Sequence, residues 1–230
     1  MTHYSHNGVL AQLPPHELDA LVPHLKLRSL SKGQVLFRHG DAIEHIYFPV
    51  GAIVSMSMRL SDGFGVETQM LGNKCVVGVG GFGCPESFCT ATISEAGLSY
   101  QLPFDQFHLE YAKGGVLMHA VLGHVRFAAT DLQQSLVCSK HHSLTQQLAK
   151  WILNMHDKNE GGALDFSHQE IAQLLGFRRE SITVALGLLE AAHLISMKSK
   201  QIELLQHQAL EQVACECYHE MRKHDPCALA

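Results

Sequence analysis

Five side chains suited to reading a polar surface stand almost consecutively in this chain: Arg178, Arg179, Glu180, Ser181 and Thr183, in "GFRRESITVALGLLE". Arginine can donate two hydrogen bonds at once to guanine O6 and N7, and glutamate can accept from cytosine N4. A good bidentate pair of this kind is worth ~1–3 kcal/mol of base discrimination. Further on, Lys198 and Lys200 in "ISMKSKQIELL" suit phosphate contact. The chemistry on offer is recognition of double-stranded DNA.

Such side chains need a rigid mount, and their neighbours describe one. Ser167 can cap a helix N-terminus, and Glu170 three positions on completes a capping box. Ile171, Leu174 and Leu175 give that helix a buried face. Gly176 then permits the tight turn of a helix-turn-helix. The second helix starts near Arg178 or Arg179, with Ile182, Leu186 and Leu189 turned inward. Its exposed N-terminal end carries the five polar residues, the end that reaches base edges in such motifs. Ser167, His168 and Gln169, opening the first helix, complete the DNA-binding set. Residues 195–205 look like a two-stranded wing with Lys198 and Lys200 at its tip. Over residues 143–208 six Lys/Arg face seven Asp/Glu. Affinity would therefore rest on a few placed contacts rather than a basic coat.

Upstream the hydrophobic period changes. From Leu27 to about Leu102 it is two. Val54, Met56, Met58 and Leu60 alternate with Ser55, Ser57 and Arg59, and Val66, Thr68 and Met70 follow an Asp62-Gly63 turn. Strand, Asp-Gly turn and strand make a hairpin. "ATISEAGLSYQLP" repeats the pattern with Gly97 in the turn. The segment reads as an antiparallel β-roll or barrel, preceded by a lead-in with a short helix at Leu18, Leu21 and Val22. After Pro103, Leu117, Val121, Val125, Ala128, Leu132 and Leu136 recur at 4-4-3-4-4 spacing. That is close to a coiled-coil seam, so the helix is expected to pair with a second copy of itself. A further helix over 143–157 buries Trp151 with Leu144, Leu148 and Met155. The fold class is α+β. Residues 1–114 form a sensor-like roll, 115–139 a dimerisation helix, and 140–230 a winged helix-turn-helix domain with a tail.

The composition narrows the function classes. The 230 residues are 46% hydrophobic and 17% charged, with net charge −5, which is globular and neither disordered nor globally basic. No apolar run reaches a membrane span, and no basic and apolar leader opens the chain. A cytoplasmic protein with no membrane partner is expected, its seven cysteines reduced. Catalysis is not expected. A nucleophile such as Cys84 or Cys89 needs a nearby base, yet no His lies between positions 46 and 107. "GVGGFG" at 78–83 matches a dinucleotide fingerprint in form, but Cys84-Pro85 follows where a helix must open.

No metal site is expected either. His141 and His142 lie near Cys138, which leaves a metal or haem role open because soft and imidazole ligands suit zinc or iron, and Cys215, Cys217, His219 and Cys227 cluster at the C-terminus. Residues two apart on a helix diverge by roughly 200°, so zinc there would need the helix unwound. His119 and His124 diverge by roughly 140°. These residues read as surface histidines and inert thiols.

The sequence resembles the Crp/Fnr family of bacterial transcription regulators. "SHQEIAQLLGFRRESI" is similar to that family's helix-turn-helix signature, and "LSKGQVLFRHGDAIEHIYFPVGAI" to the start of its sensor roll. The resemblance covers about residues 15 to 205. It implies a cupin-like, cyclic-nucleotide-binding-domain-like roll, a homodimer on a near-palindromic operator, and RNA polymerase as a partner. It matches Arg179, Glu180 and Ser181 to the first base-reading residues and the hydroxyl after them. The family's third base-reading Arg falls on Val184, and Arg178 is the candidate substitute. The family's cyclic-nucleotide cassette has a Glu after a Gly and then an Arg. Here Val79 follows Gly78, and no Arg occurs from 60 to 125. A phosphate buried without a cation is costly, which argues against cyclic AMP. No Cys precedes Cys75, which argues against the family's N-terminal iron–sulfur cluster. The effector stays unknown, with Lys74, Cys75, Cys84 and Cys89 as weak candidates. The alternatives are redox, metal or haem sensing by Cys and His of the roll, or a ligand-independent roll that only contacts partners.

Overall fold

Seven strands arise from the alternating segment: β1 (Lys26–Leu30), β2 (Val35–Phe37), β3 (His45–Val50), β4 (Ile53–Arg59), β5 (Gly65–Leu71), β6 (Thr90–Glu95) and β7 (Gly97–Pro103). The computed structural model describes residues 3–61, 65–81, 86–159 and 161–224. The chain divides into two units, 1–58 with 68–129 and 59–67 with 130–228. The division falls inside the long helix rather than at either of its ends.

The first unit is built on two antiparallel sheets, ordered β1-β7-β3 and β2-β6-β4-β5. β4 and β5 are neighbours as expected of a hairpin, while Asp62 and Gly63 of its turn lie outside the described residues. The second expected hairpin does not form. β6 pairs with β2 and β4, whereas β7 pairs with β1 and β3. Only Ala96 separates the two strands, too little for the usual two-residue turn. Gly97 instead passes against the backbone of Ala52, where a Cβ would stand 2.3 Å from the Ala52 nitrogen. Alternation alone predicts strands but not which sheet each joins. Ile46, Phe48, Val54, Ile93 and Leu102 fill the core.

The lead-in is more than a lead-in. Asn7 is fully buried and spends its whole amide. Its Nδ2 donates to Pro49 O and Cys75 O, both at 3.0 Å, and its Oδ1 accepts from the amides of Val9 and Leu10 at 3.0 and 3.2 Å. The N-terminal turns are thereby fastened to the end of β3 and the loop after β5. α1 (Pro15–Leu21) follows, opened by Pro15 and burying Leu21. α2 (Phe104–Tyr111) buries Phe107 against Phe48.

α3 (Val116–His141) then runs for 26 residues. Its first turn is capped from a distance. Glu17 of α1 accepts from the amides of Val116 and Leu117, each at 2.8 Å. These are orphan donors of a helix N-terminus, and a carboxylate there also complements the helix dipole. Gly115 leaves room for it, since a Cβ would lie 2.4 Å from Glu17 Oε1.

The second unit holds α4 (Leu144–Lys158), β8 (Leu164–Asp165), α5 (His168–Leu175), α6 (Arg179–Ala191), β9 (Ile195–Lys198), β10 (Gln201–Leu204), α7 (His207–Val213) and α8 (Cys217–His224). Its sheet is ordered β8-β10-β9, one strand more than the expected wing. Ser143 and Gln146 form a capping box that starts α4. The buried Trp151 packs edge-on to Phe166 with centroids 5.2 Å apart. No helix among the described residues is long and apolar enough to cross a membrane.

Burial would raise the Glu17 carboxyl pKa, but the Leu117 and Val116 amides outweigh it and hold the group below its usual range. Its contribution is therefore complete above the unfolded pKa of about 4.3 and lost as pH falls through the lower folded value. Glu17→Ala is expected to lower stability by about 1–2 kcal/mol at neutral pH. The wild-type advantage in urea melts should shrink below about pH 4.

Candidate nucleic-acid interface

The mount for the recognition residues is built from local signals. Ser167 Oγ accepts from the Glu170 amide at 3.2 Å, and Glu170 Oε2 accepts from the Ser167 amide at 2.7 Å. Two helix-end donors are satisfied reciprocally, which sets the start of α5. At its other end Gly176 has φ 71°, in the left-handed region. Only glycine adopts this region without strain, so the chain turns there and α6 begins three residues on. Ile171 of α5 and Ile182, Leu186 and Leu189 of α6 are buried as expected. Leu174 and Leu175 are half-buried.

The outward face of α6 follows from its period. Arg178, Arg179, Glu180, Ser181 and Thr183 are all exposed. Glu180, Val184 and Gly187, spaced i, i+4, i+7, run opposite the buried residues and so form the outermost line. Val184 is 65% exposed and Leu188 beside it 58%. Polar-residue reasoning passes over Gly187 and Leu188. The helical period alone could have found them.

Thr183 is already engaged. Its hydroxyl donates to Arg179 O at 3.0 Å, and His168 Nδ1 lies 2.9 Å from the same oxygen. The hydroxyl proton being spent, His168 is the donor. This bond ties α5 to α6. Ser167 is half-buried, and Gln169 is exposed. Lys198 and Lys200 are exposed on either side of Ser199, which turns the β9–β10 strands at φ 60°. Glu190 Oε1 accepts from the Met197 amide at 2.9 Å, fixing this turn's strand to α6.

Residues 146–213 match the family model of the Crp-like helix-turn-helix domain. The fumarate and nitrate reduction regulatory protein of Yersinia pestis is 24% identical over 219 residues, 88% of this chain and 84% of that protein. Two solved structures share the fold. The c-di-GMP-responsive global regulator CLP of Xanthomonas campestris has a TM-score of 0.69 at 17% identity, over 83% of this chain and 99% of that one. FixK2 from Bradyrhizobium japonicum has a TM-score of 0.71 at 17% identity, over 83% and 98%. The chain carries a Crp-like helix-turn-helix domain over residues 146–213, the DNA-binding part of a Crp/Fnr-type transcription regulator.

In the first unit the roll carries a cavity of about 450 Å³, lined by Met56, Gln69, Leu71, Phe88, Cys89 and His124 among others. No Lys or Arg is among its described lining residues. Of the weak effector candidates, Cys89 lines it, with its thiol pKa raised by burial against the opposing effect of its hydrogen bond with Ser87. Lys74 and Cys75 are elsewhere, and Cys84 lies outside the described residues.

The expected seam on α3 needs correction. Leu117 and Val121 are buried in the core of the roll, and Ala128 is half-buried at the cavity. The exposed apolar stripe is Leu122, Val125, Ala129, Leu132 and Leu136, spaced 3-4-3-4. A run of regular spacing does not say which of two adjacent faces turns inward. The roll takes one of them.

The helical geometry assumed for Cys215 and Cys217 is also corrected. α7 ends at Val213, and α8 begins at Cys217. Cys215 lies in the break and reaches Cys138, while Cys217 reaches His142. The Cys138 pKa is lowered to about 5, chiefly by the hydrogen bond from Cys215. Cys227 lies outside the described residues.

Gly187 sits mid-helix with nothing within 4 Å of where a Cβ would stand. Gly187→Ala is expected to raise stability by about 0.5–1 kcal/mol in thermal or urea melts. An unchanged or lowered stability would mean that α6 needs the glycine for its own fold.

Proposed function

We propose that this regulator binds a near-palindromic operator as a homodimer, each α6 lying in a major-groove half-site, with the roll cavity taking an effector. The single observation that carries the reading is the outward face of α6. Arg178, Arg179, Glu180 and Ser181 stand exposed at its N-terminal end, directly after a capped helix and a left-handed glycine turn. Half-sites would sit about 34–36 Å apart, one helical turn of DNA. Val184, apolar where the third reading position falls, suits a thymine methyl better than a guanine edge. The wing lysines suit phosphate contact, which sets register but carries no sequence information.

Homodimerisation is supported by the stripe on α3. Its 3-4-3-4 spacing is that of a two-stranded coiled coil. Leu132 and Leu136, 42% and 63% exposed in the single chain, would be buried by a second copy.

The cavity's apolar lining favours an uncharged or weakly polar effector. A phosphate buried there would lack a guanidinium or ammonium partner among the described lining residues. Such an effector would act by binding the DNA-competent state better than the other.

Selection of duplexes from a random pool at fixed near-physiological salt is expected to enrich a two-fold-symmetric motif. Arg179→Ala should then cost ~1–3 kcal/mol on that motif and flatten preference at one base pair. An equal loss on every sequence would contradict direct readout. The Leu132→Asp, Leu136→Asp double variant should run at half the wild-type mass in light scattering and lose the motif. An unchanged mass would sink the dimer.

A further inference from the structure

Three thiols and an imidazole meet in the second unit, drawn from segments over seventy residues apart in sequence. Cys138 lies in the last turn of α3, and His142 follows four residues later. The helical turn continues to it, since the His142 amide donates to Cys138 O at 3.0 Å. Both side chains therefore share a face. Cys215 enters from the break between α7 and α8, and Cys217 from the first position of α8. Cys138 Sγ lies 3.5 Å from Cys215 Sγ, and Cys217 Sγ lies 3.7 Å from His142 Nδ1. All four donor atoms fall within 4.8 Å of one another.

We propose that Cys138, His142, Cys215 and Cys217 form a closed tetrahedral site for one zinc-class divalent ion.

The spacing supports it. With metal–sulfur bonds of about 2.3 Å and a metal–nitrogen bond of about 2.0–2.1 Å, the ligand atoms of a tetrahedron stand roughly 3.5–3.8 Å apart. The Cys138–Cys215 and Cys217–His142 pairs fall within that range. The Cys138 and Cys215 sulfurs are too far apart for the ~2.05 Å of a disulfide. An iron–sulfur cluster divides its ligands among two or more irons, which spreads the set of four more widely than a single ion does.

The surroundings support it too. The three cysteines are 0–2% exposed, and the His142 side chain 7%. His142 Nε2 lies 3.0 Å from Glu216 Oε2. A carboxylate on the outer nitrogen fixes the tautomer and aims the other lone pair, here Nδ1, at the sulfurs. Gln134 Nε2 donates to Cys217 Sγ at 3.0 Å, a bond suited to a thiolate. On binding, each thiol gives its proton to solvent while His142 stays neutral. Four protein ligands leave no open position, so the ion would be structural rather than catalytic. It would clamp the C-terminal segment to the end of α3.

The test is a cobalt titration of the reduced, metal-stripped full chain. The expected result is a thiolate-to-cobalt charge-transfer band with tetrahedral visible bands, saturating at one ion per chain and erased by added zinc. Glu216→Gln, at an exposed outer position, should weaken affinity 10–100-fold with an unchanged circular dichroism spectrum. Cys217→Ser should abolish the saturable band, and Cys89→Ser in the roll should leave it intact. The proposal is overturned if no charge-transfer band develops at saturating cobalt, or if the band survives Cys217→Ser. It is equally overturned if the purified protein carries iron and inorganic sulfide lost in Cys217→Ser.

Discussion

An α-helix fixes the direction of each side chain about 100° on from the last, and α3 uses that constraint three ways along its 26 residues. Leu117 and Val121 complete the core of the roll. Leu122, Val125, Ala129, Leu132 and Leu136 then hold an apolar line open to solvent. Cys138, with His142 one turn later, turns toward the C-terminal segment. These directions are not independently adjustable. An insertion of one residue anywhere between Val121 and Cys138 would swing everything beyond it by about 100°. The remote cap from Glu17 fixes where this helix starts.

The recognition half obeys a different constraint, that of charge. Its six cations are outnumbered by seven carboxylates, so a diffuse attraction to phosphate contributes little. Few placed lysines and arginines also mean few counterions released, hence a shallow dependence of affinity on salt. Under the proposed operator reading, specificity would then rest on pre-organisation. The capping box, the left-handed Gly176 and the His168–Thr183 bond hold α5 against α6 before any contact is made. Each uses groups that would otherwise be unpaired at a helix end or turn.

What could be read from the residues alone was what is local. The Ser167–Glu170 box, the Gly176 turn and the inward Ile182, Leu186 and Leu189 are encoded within a few positions of one another, and each is where spacing places it. The misreadings share a cause. The alternation over β6 and β7 reads as a hairpin because it carries no information about the partner strand. On α3, Val125, Leu132 and Leu136 of the expected seam stay exposed, whereas Leu117, Val121 and Ala128 turn toward the roll, which competes for the same helix. Asn7 looked like part of a lead-in, since its four partners come partly from residues over forty positions away. The thiol cluster stayed hidden for the same reason: its two halves are separated by most of the DNA-binding domain.

That separation gives the cluster its physical weight. α7 and α8 have seven and eight residues, shorter than a helix that holds itself together in water. They need tertiary anchors, and α8 has one in Tyr218, whose hydroxyl donates to Asp157 of α4 at 2.8 Å. The thiols and His142 make a poor second anchor as an apolar core. An imidazole is a costly neighbour for three buried sulfurs unless its nitrogens are used, and leucine or valine would fill the space at less cost. They make a good coordination shell. A divalent ion turns the mutual repulsion of three thiolates into attraction to a common centre, and converts binding free energy into folding free energy.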